Sequence, residues 1–135
     1  MTAQQLLIVT ALAETATGLM LLVTPQRLIA LLLGASLDEP AARVVARIAG
    51  AALLSLGCAC WLTRKDSQNR AVSGLIAAML LYNVVAATVL AHAGASARLV
   101  GVLTWPAVAL HAALAVWCVL CLRGGWRTLA SRHTW

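Results

Sequence analysis

The chain has 135 residues, of which 62% are hydrophobic and only 10% charged, with a mean hydropathy of +0.91; water-soluble domains carry about 45–50% apolar and roughly 25% charged residues. This composition is that of a membrane protein and leaves little length for a soluble portion. The net charge of +6 does not point to nucleic acid, because nucleic-acid surfaces cluster Lys and Arg on one face, and here the basic residues sit in the gaps between apolar runs.

The first apolar run covers 3–23 and is broken only by Glu14 and several threonines. It has no basic leader and carries an acid at its middle, so it is expected to stay as a spanning helix and not to act as a cleaved signal peptide. Thr24-Pro25 has the form of an N-cap followed by proline at the first helical position, and Leu28 to Leu33 then make an apolar helix closed by Gly34. A helix over 25–33 reaches only about 15 Å, half of a ~30 Å hydrocarbon core, so it is expected to lie at the interface or to enter the membrane and return.

Ser36-Leu37-Asp38-Glu39 has capping-box spacing and is expected to open the second long helix. That helix passes Arg43 and Arg47 and spans 41–62. The polar segment from Thr63 to Arg70 forms a loop in water, followed by a third span over 71–93. Gly94 to Arg98 is a short turn that makes the third and fourth spans antiparallel neighbours. The fourth span covers 99–122, with a kink expected near Trp105-Pro106 because proline lacks the donor for the Val102 carbonyl. Arg123-Gly124-Gly125-Trp126-Arg127 is expected to end it. The expected fold is therefore all-α, a four-transmembrane-helix bundle in one domain, with a short interfacial or re-entrant helix between its first two spans.

Orientation follows from the basic residues. Arg64, Lys65, Arg70, Arg123, Arg127 and Arg132 lie on one side of the bundle, against Arg27, Arg43 and Arg98 on the other, with Arg47 deeper. That bias places both termini in the cytoplasm. Trp61, Trp126 and Trp135 fall near the same boundary and Trp105 near the opposite one, as an aromatic belt requires. Gly50, Ser55 and Gly57 are small residues suited to close helix contact.

Helix rise sets the depth of each polar side chain. Glu14, Asn83 and His111 all fall near the midplane of their spans, and Arg47 lies one to two turns nearer the other face, within reach of a long guanidinium stem. An isolated carboxylate at the bilayer centre costs several kcal/mol, so it faces inward and seeks a partner. Arg47 is the natural counter-ion, with Asn83 and His111 completing a buried polar pocket for a small lipophilic ligand. The alternative is that the same residues only lock helix register. Thr10, Glu14, Thr17 and Gly18 share one helix face, and so do Thr104, His111 and Cys118. Tyr82 points about 100° away from Asn83 and is left outside the cluster.

Cys58 and Cys60 project roughly 200° apart and cannot meet one ion, so the four cysteines read chiefly as small packing residues and no metal site is expected. His92 and His133 read as interfacial residues. Nucleophile motifs, phosphate-binding glycine loops and zinc-helix patterns are absent, and nothing positive points to catalysis or to a particular cofactor.

A first span with a central acid, then Thr24-Pro25 and a leucine-rich half-helix to Gly34, then Leu37-Asp38-Glu39-Pro40 leading into Arg43 and Arg47 and two more spans, resembles the small DoxX-like bacterial membrane proteins. The resemblance implies a multi-pass protein of the bacterial inner membrane. It also implies quinone-linked chemistry, since the name-giving members are small subunits of a thiosulfate:quinone oxidoreductase. Ala13-Glu14 followed by Gly18 is also similar to small multidrug resistance transporters, in which a first-helix glutamate exchanges protons for cationic drugs; the half-helix 25–33 and Arg47 are foreign to that pattern. The expected partners are the lipid bilayer and a small lipophilic molecule, with homo-oligomers or a larger membrane complex left open. The functional alternatives to a ligand pocket are a small proton-coupled transporter using Glu14 and an accessory or scaffold subunit.

Overall fold

The computed structural model describes residues 2–66 and 69–130, with side chains as far as residue 124. Five helices follow in chain order: α1 (Ala3–Val23), α2 (Pro25–Leu33), α3 (Pro40–Thr63), α4 (Arg70–Ala95) and α5 (Thr104–Ala130). Four of them, α1, α3, α4 and the Thr104–Gly124 part of α5, are long and apolar enough to cross a membrane. The chain is a multi-pass, all-α membrane bundle, and among the described residues there is no strand. Its outward surface is apolar, with Leu12, Val23, Leu62 and Val102 each more than 60% exposed, as lipid-facing helices require.

The helix starts follow local chemistry. Thr2 caps α1 in a capping box with Gln5, and the Asn69 side chain accepts the Ala71 amide at the start of α4. Pro25 opens α2 and Gly34, in the left-handed region at φ 63°, closes it with its amide on the Ala30 carbonyl. The Thr24 hydroxyl does not cap α2; it turns back onto the Met20 carbonyl at 3.4 Å.

Three boundaries differ from the sequence reading. The capping box at Ser36 does not form: Ser36 Oγ donates to Asp38 instead, and α3 begins at Pro40 because Glu39, extended at ψ 123°, is held out of the helix by the proline that follows it. Pro106 makes no mid-span kink, since α5 starts at Thr104 and places it in the first turn, where a missing N–H has no intrahelical partner to lose. The backbone of α5 continues through Gly124-Gly125 to Ala130 instead of stopping at Arg123. The expected belt and basic positions Trp126 and Arg127 have only their backbone described, and Arg132, His133 and Trp135 lie outside the described residues.

The bundle is built from two tightly packed pairs, α1 with α3 and α4 with α5. Gly18, Gly50 and Gly57 let α1 and α3 touch backbone to backbone: a Cβ on Gly18 would stand 2.7 Å from the Gly50 carbonyl oxygen. Ser55 plays no part in that contact, being exposed and bonded to its own Ala51 carbonyl. At the end where α1 and α4 begin, the core is apolar and includes Leu6, Leu7, Val72, Ile76, Met79 and Leu114, with Cys60 and Cys118 fully buried. The opposite end is closed by α2. Its terminal carbonyls are taken by the chain entering α5: the Leu103 amide donates to Leu31 at 2.9 Å and the buried Thr104 hydroxyl donates to Leu32.

Candidate functional site

Between that apolar core and the α2 cap lies a polar layer. Glu14 is 3% exposed and Asn83 is completely buried, both placed inward by the stripes that also bury Thr10 and Gly18 on α1 and Ile76 and Met79 on α4. The matching stripe of α5 buries Thr104 and Cys118 and half-buries His111, as the seven-residue spacing predicts.

Asn83 Nδ2 donates to the Met79 carbonyl at 2.8 Å. Because a carbonyl only accepts, this bond fixes the amide orientation and leaves Asn83 Oδ1 facing His111 Nδ1 at 2.8 Å. The imidazole therefore carries its proton on Nδ1, and Nε2 keeps a lone pair for another donor. The Tyr82 ring meets His111 edge-on, with ring centroids 5.6 Å apart. Its hydroxyl points toward the Glu14 carboxyl, and Cys60 of α3, wholly buried, lies near the same group.

Three of the four expected site residues, Glu14, Asn83 and His111, thus share one layer, and Tyr82 joins them. Its backbone direction differs from that of Asn83, yet the length of a phenol carries the hydroxyl to Glu14. The signal available in the sequence was its uniqueness: it is the single tyrosine of the chain, set mid-span where a hydroxyl must find a partner.

Arg47 does not join the layer. Gly18 packs on Gly50 and Leu54, and Gly57 packs on Thr15, an antiparallel register that leaves Arg47 about 13 Å farther along the bundle axis than Glu14. The guanidinium is exposed, and no cation is among the groups acting on Glu14. Close to the end of its span, Arg47 keeps its hydration by reaching outward, which costs less than desolvating an ion pair. Arg43, half-buried on the first turn of α3, lies farther still from the layer.

Cys58 is exposed and Cys60 buried, the opposed projection that their spacing implies. Among the described residues no three His, Cys, Asp or Glu side chains come together as a metal site. Two surface grooves, of about 450 and 300 Å³, run between apolar side chains of α1 and α3 and of α1 and α5, and neither is lined by Glu14, Tyr82, Asn83 or His111.

Chemically, the layer offers a carboxyl and a phenol as donors and an imidazole nitrogen as acceptor, with no fixed counter-charge from Arg47. Compared with known proteins, the chain matches no family model, no curated protein and no solved structure.

Proposed function

We propose that this chain is a DoxX-like protein of the bacterial inner membrane, with both termini in the cytoplasm, whose Glu14–Tyr82–Asn83–His111 layer binds a small lipid-soluble molecule of the quinone class. The observation that carries the reading is an acid buried at mid-span with a phenol beside it and, among the described residues, no cation acting on it. Packing alone does not call for so costly a group. A quinone carbonyl needs a donor, which Glu14 or Tyr82 supplies, and a quinol hydroxyl needs an acceptor, which His111 Nε2 supplies. The excess of Lys and Arg at the end holding the 64–70 loop supports the orientation. The test is fluorescence titration of the detergent-purified protein with a short-chain benzoquinone. Saturable quenching is expected, weakened at least tenfold in Glu14→Ala and His111→Leu variants that keep wild-type helicity; equal affinity in all three proteins would refute the assignment.

The uncompensated acid also favours a second reading, a proton-coupled transporter in which Glu14 releases and rebinds a proton. In proteoliposomes that reading requires a pH gradient to drive solute uptake and Glu14→Gln to abolish it, while quinone affinity stays irrelevant to the rate.

A further inference from the structure

The larger surface groove, about 450 Å³, opens toward lipid between α1 and α3, with Leu12, Thr15, Leu54, Gly57, Cys58 and Trp61 among its lining. Gly57, packed against Thr15 and Ala11 of α1, forms its floor, while Leu12 and Trp61 stand up on either side, 62% and 44% exposed. One end of this apolar furrow carries a fixed cation. Arg64 lies with its guanidinium carbon 3.8 Å from the centre of the Trp61 ring, and its Nη1 donates to the Trp61 carbonyl. Stacking and hydrogen bond together hold the arginine in place, so little side-chain entropy remains to be lost when an anion binds, and among the described residues only one of its N–H donors is taken. Lys65 follows, exposed, at the same helix end.

The geometry points to a site for one anionic phospholipid, with an acyl chain along the Leu12–Leu54–Cys58 furrow and the headgroup phosphate on Arg64 and Lys65. Charge complementarity commits the groove to this occupant: a second protein copy would have to bring a carboxylate against Arg64, and the chain has only four acids in all, one of them the buried Glu14. The furrow and the cation are also continuous, with Trp61 belonging to both, and that is the layout of an amphiphile. The assignment needs only the membrane bundle and is independent of the polar layer.

Native mass spectrometry of the whole chain, released from detergent with added phosphatidylglycerol or phosphatidylcholine, tests it. One phosphatidylglycerol is expected to remain bound in preference to phosphatidylcholine. Arg64→Ala should cut that preference about fivefold, as loss of one basic contact to an anionic headgroup does, and Arg64→Lys should restore part of it. Cys58→Trp fills the furrow from an exposed position and should reduce retention of both lipids. Arg123→Ala, which removes an exposed charge from α5 without touching the groove, should change nothing. Equal losses from Arg64→Ala and Arg123→Ala would reduce the effect to diffuse attraction and overturn the site, and so would full lipid retention by Cys58→Trp or a protein dimer taking the place of bound lipid.

Discussion

The two helix pairs of this bundle are held by different physics. α1 and α3 are not adjacent in sequence, and they meet through absent side chains: Gly18, Gly50 and Gly57 bring one backbone against the other. α4 and α5 follow one another through a short connection, and their contact includes a partly buried side-chain hydrogen bond between Asn83 and His111. Lipid tails are as apolar as leucine, so burial alone gives two helices little reason to prefer each other. Close van der Waals fit and polar bonds supply that preference instead. A pair assembled from distant segments needs the close fit, which specifies register over several turns. A hairpin already has its partner and can spend its interface on polar groups.

The sharpest way to break this contrast is to add volume at the first interface. A Cβ on Gly50 would stand 2.8 Å from both the Gly18 carbonyl oxygen and the Leu21 Cβ, atoms that belong to the helix or sit close to it and cannot rotate away. Gly50→Leu is therefore expected to cost more than about 3 kcal/mol, or to separate the pair outright. Gly74 on the outer face of α4 has nothing within 4 Å of the same added atom, so Gly74→Leu should be neutral or slightly stabilising. Unfolding titrations in SDS and dodecylmaltoside mixtures compare the two; equal effects would mean that helix propensity, not fit, governs both.

The second interface is expected to yield less. Asn83→Leu leaves the His111 Nδ1–H without its acceptor in a dry interior, at about 1–2 kcal/mol. Removing both partners in Asn83→Leu with His111→Leu should recover most of the loss, since paired polar groups replaced by apolar ones of similar size cost little. The double-mutant cycle reads the coupling directly. A double variant as unstable as the sum of the two singles would show that the bond carries no coupling and that α4 and α5 are held by packing, as α1 and α3 are.

This division also explains what the sequence could and could not disclose. The spans were legible because twenty-residue apolar runs have few other uses in a chain so poor in charge, and α2 was legible from Thr24-Pro25 and Gly34. The depth of Glu14, Asn83 and His111 followed from helix rise alone. The start of α5 was not legible, because Gly101 to Leu103 stays out of the helix while Leu103 and Thr104 meet the α2 carbonyls, a contact between segments about 70 residues apart. Arg47 was misplaced for a related reason: whether it reaches inward to Glu14 depends on the register of α1 on α3, which the glycines set, and that register leaves it more than two turns from Glu14. Tyr82 escaped because angular position describes the Cβ direction and neglects side-chain length.

The smallest effect belongs to the connection that makes α4 and α5 neighbours. Arg98 occupies the left-handed region at φ 53°, where it is the sole non-glycine among the described residues, and this turns the Leu99 amide back onto the Ala93 carbonyl at 3.1 Å. A side chain bearing a Cβ is strained there by roughly 1–2 kcal/mol, a cost glycine avoids while losing more freedom on folding. Arg98→Gly should therefore stabilise the hairpin by about 0.5–1 kcal/mol, read as a higher SDS midpoint. Arg98→Asn should fall between, because asparagine tolerates this conformation, and Arg98→Ala should gain nothing. If alanine matched glycine, the gain would come from removing charge at the α4 end, and the turn would owe nothing to backbone geometry.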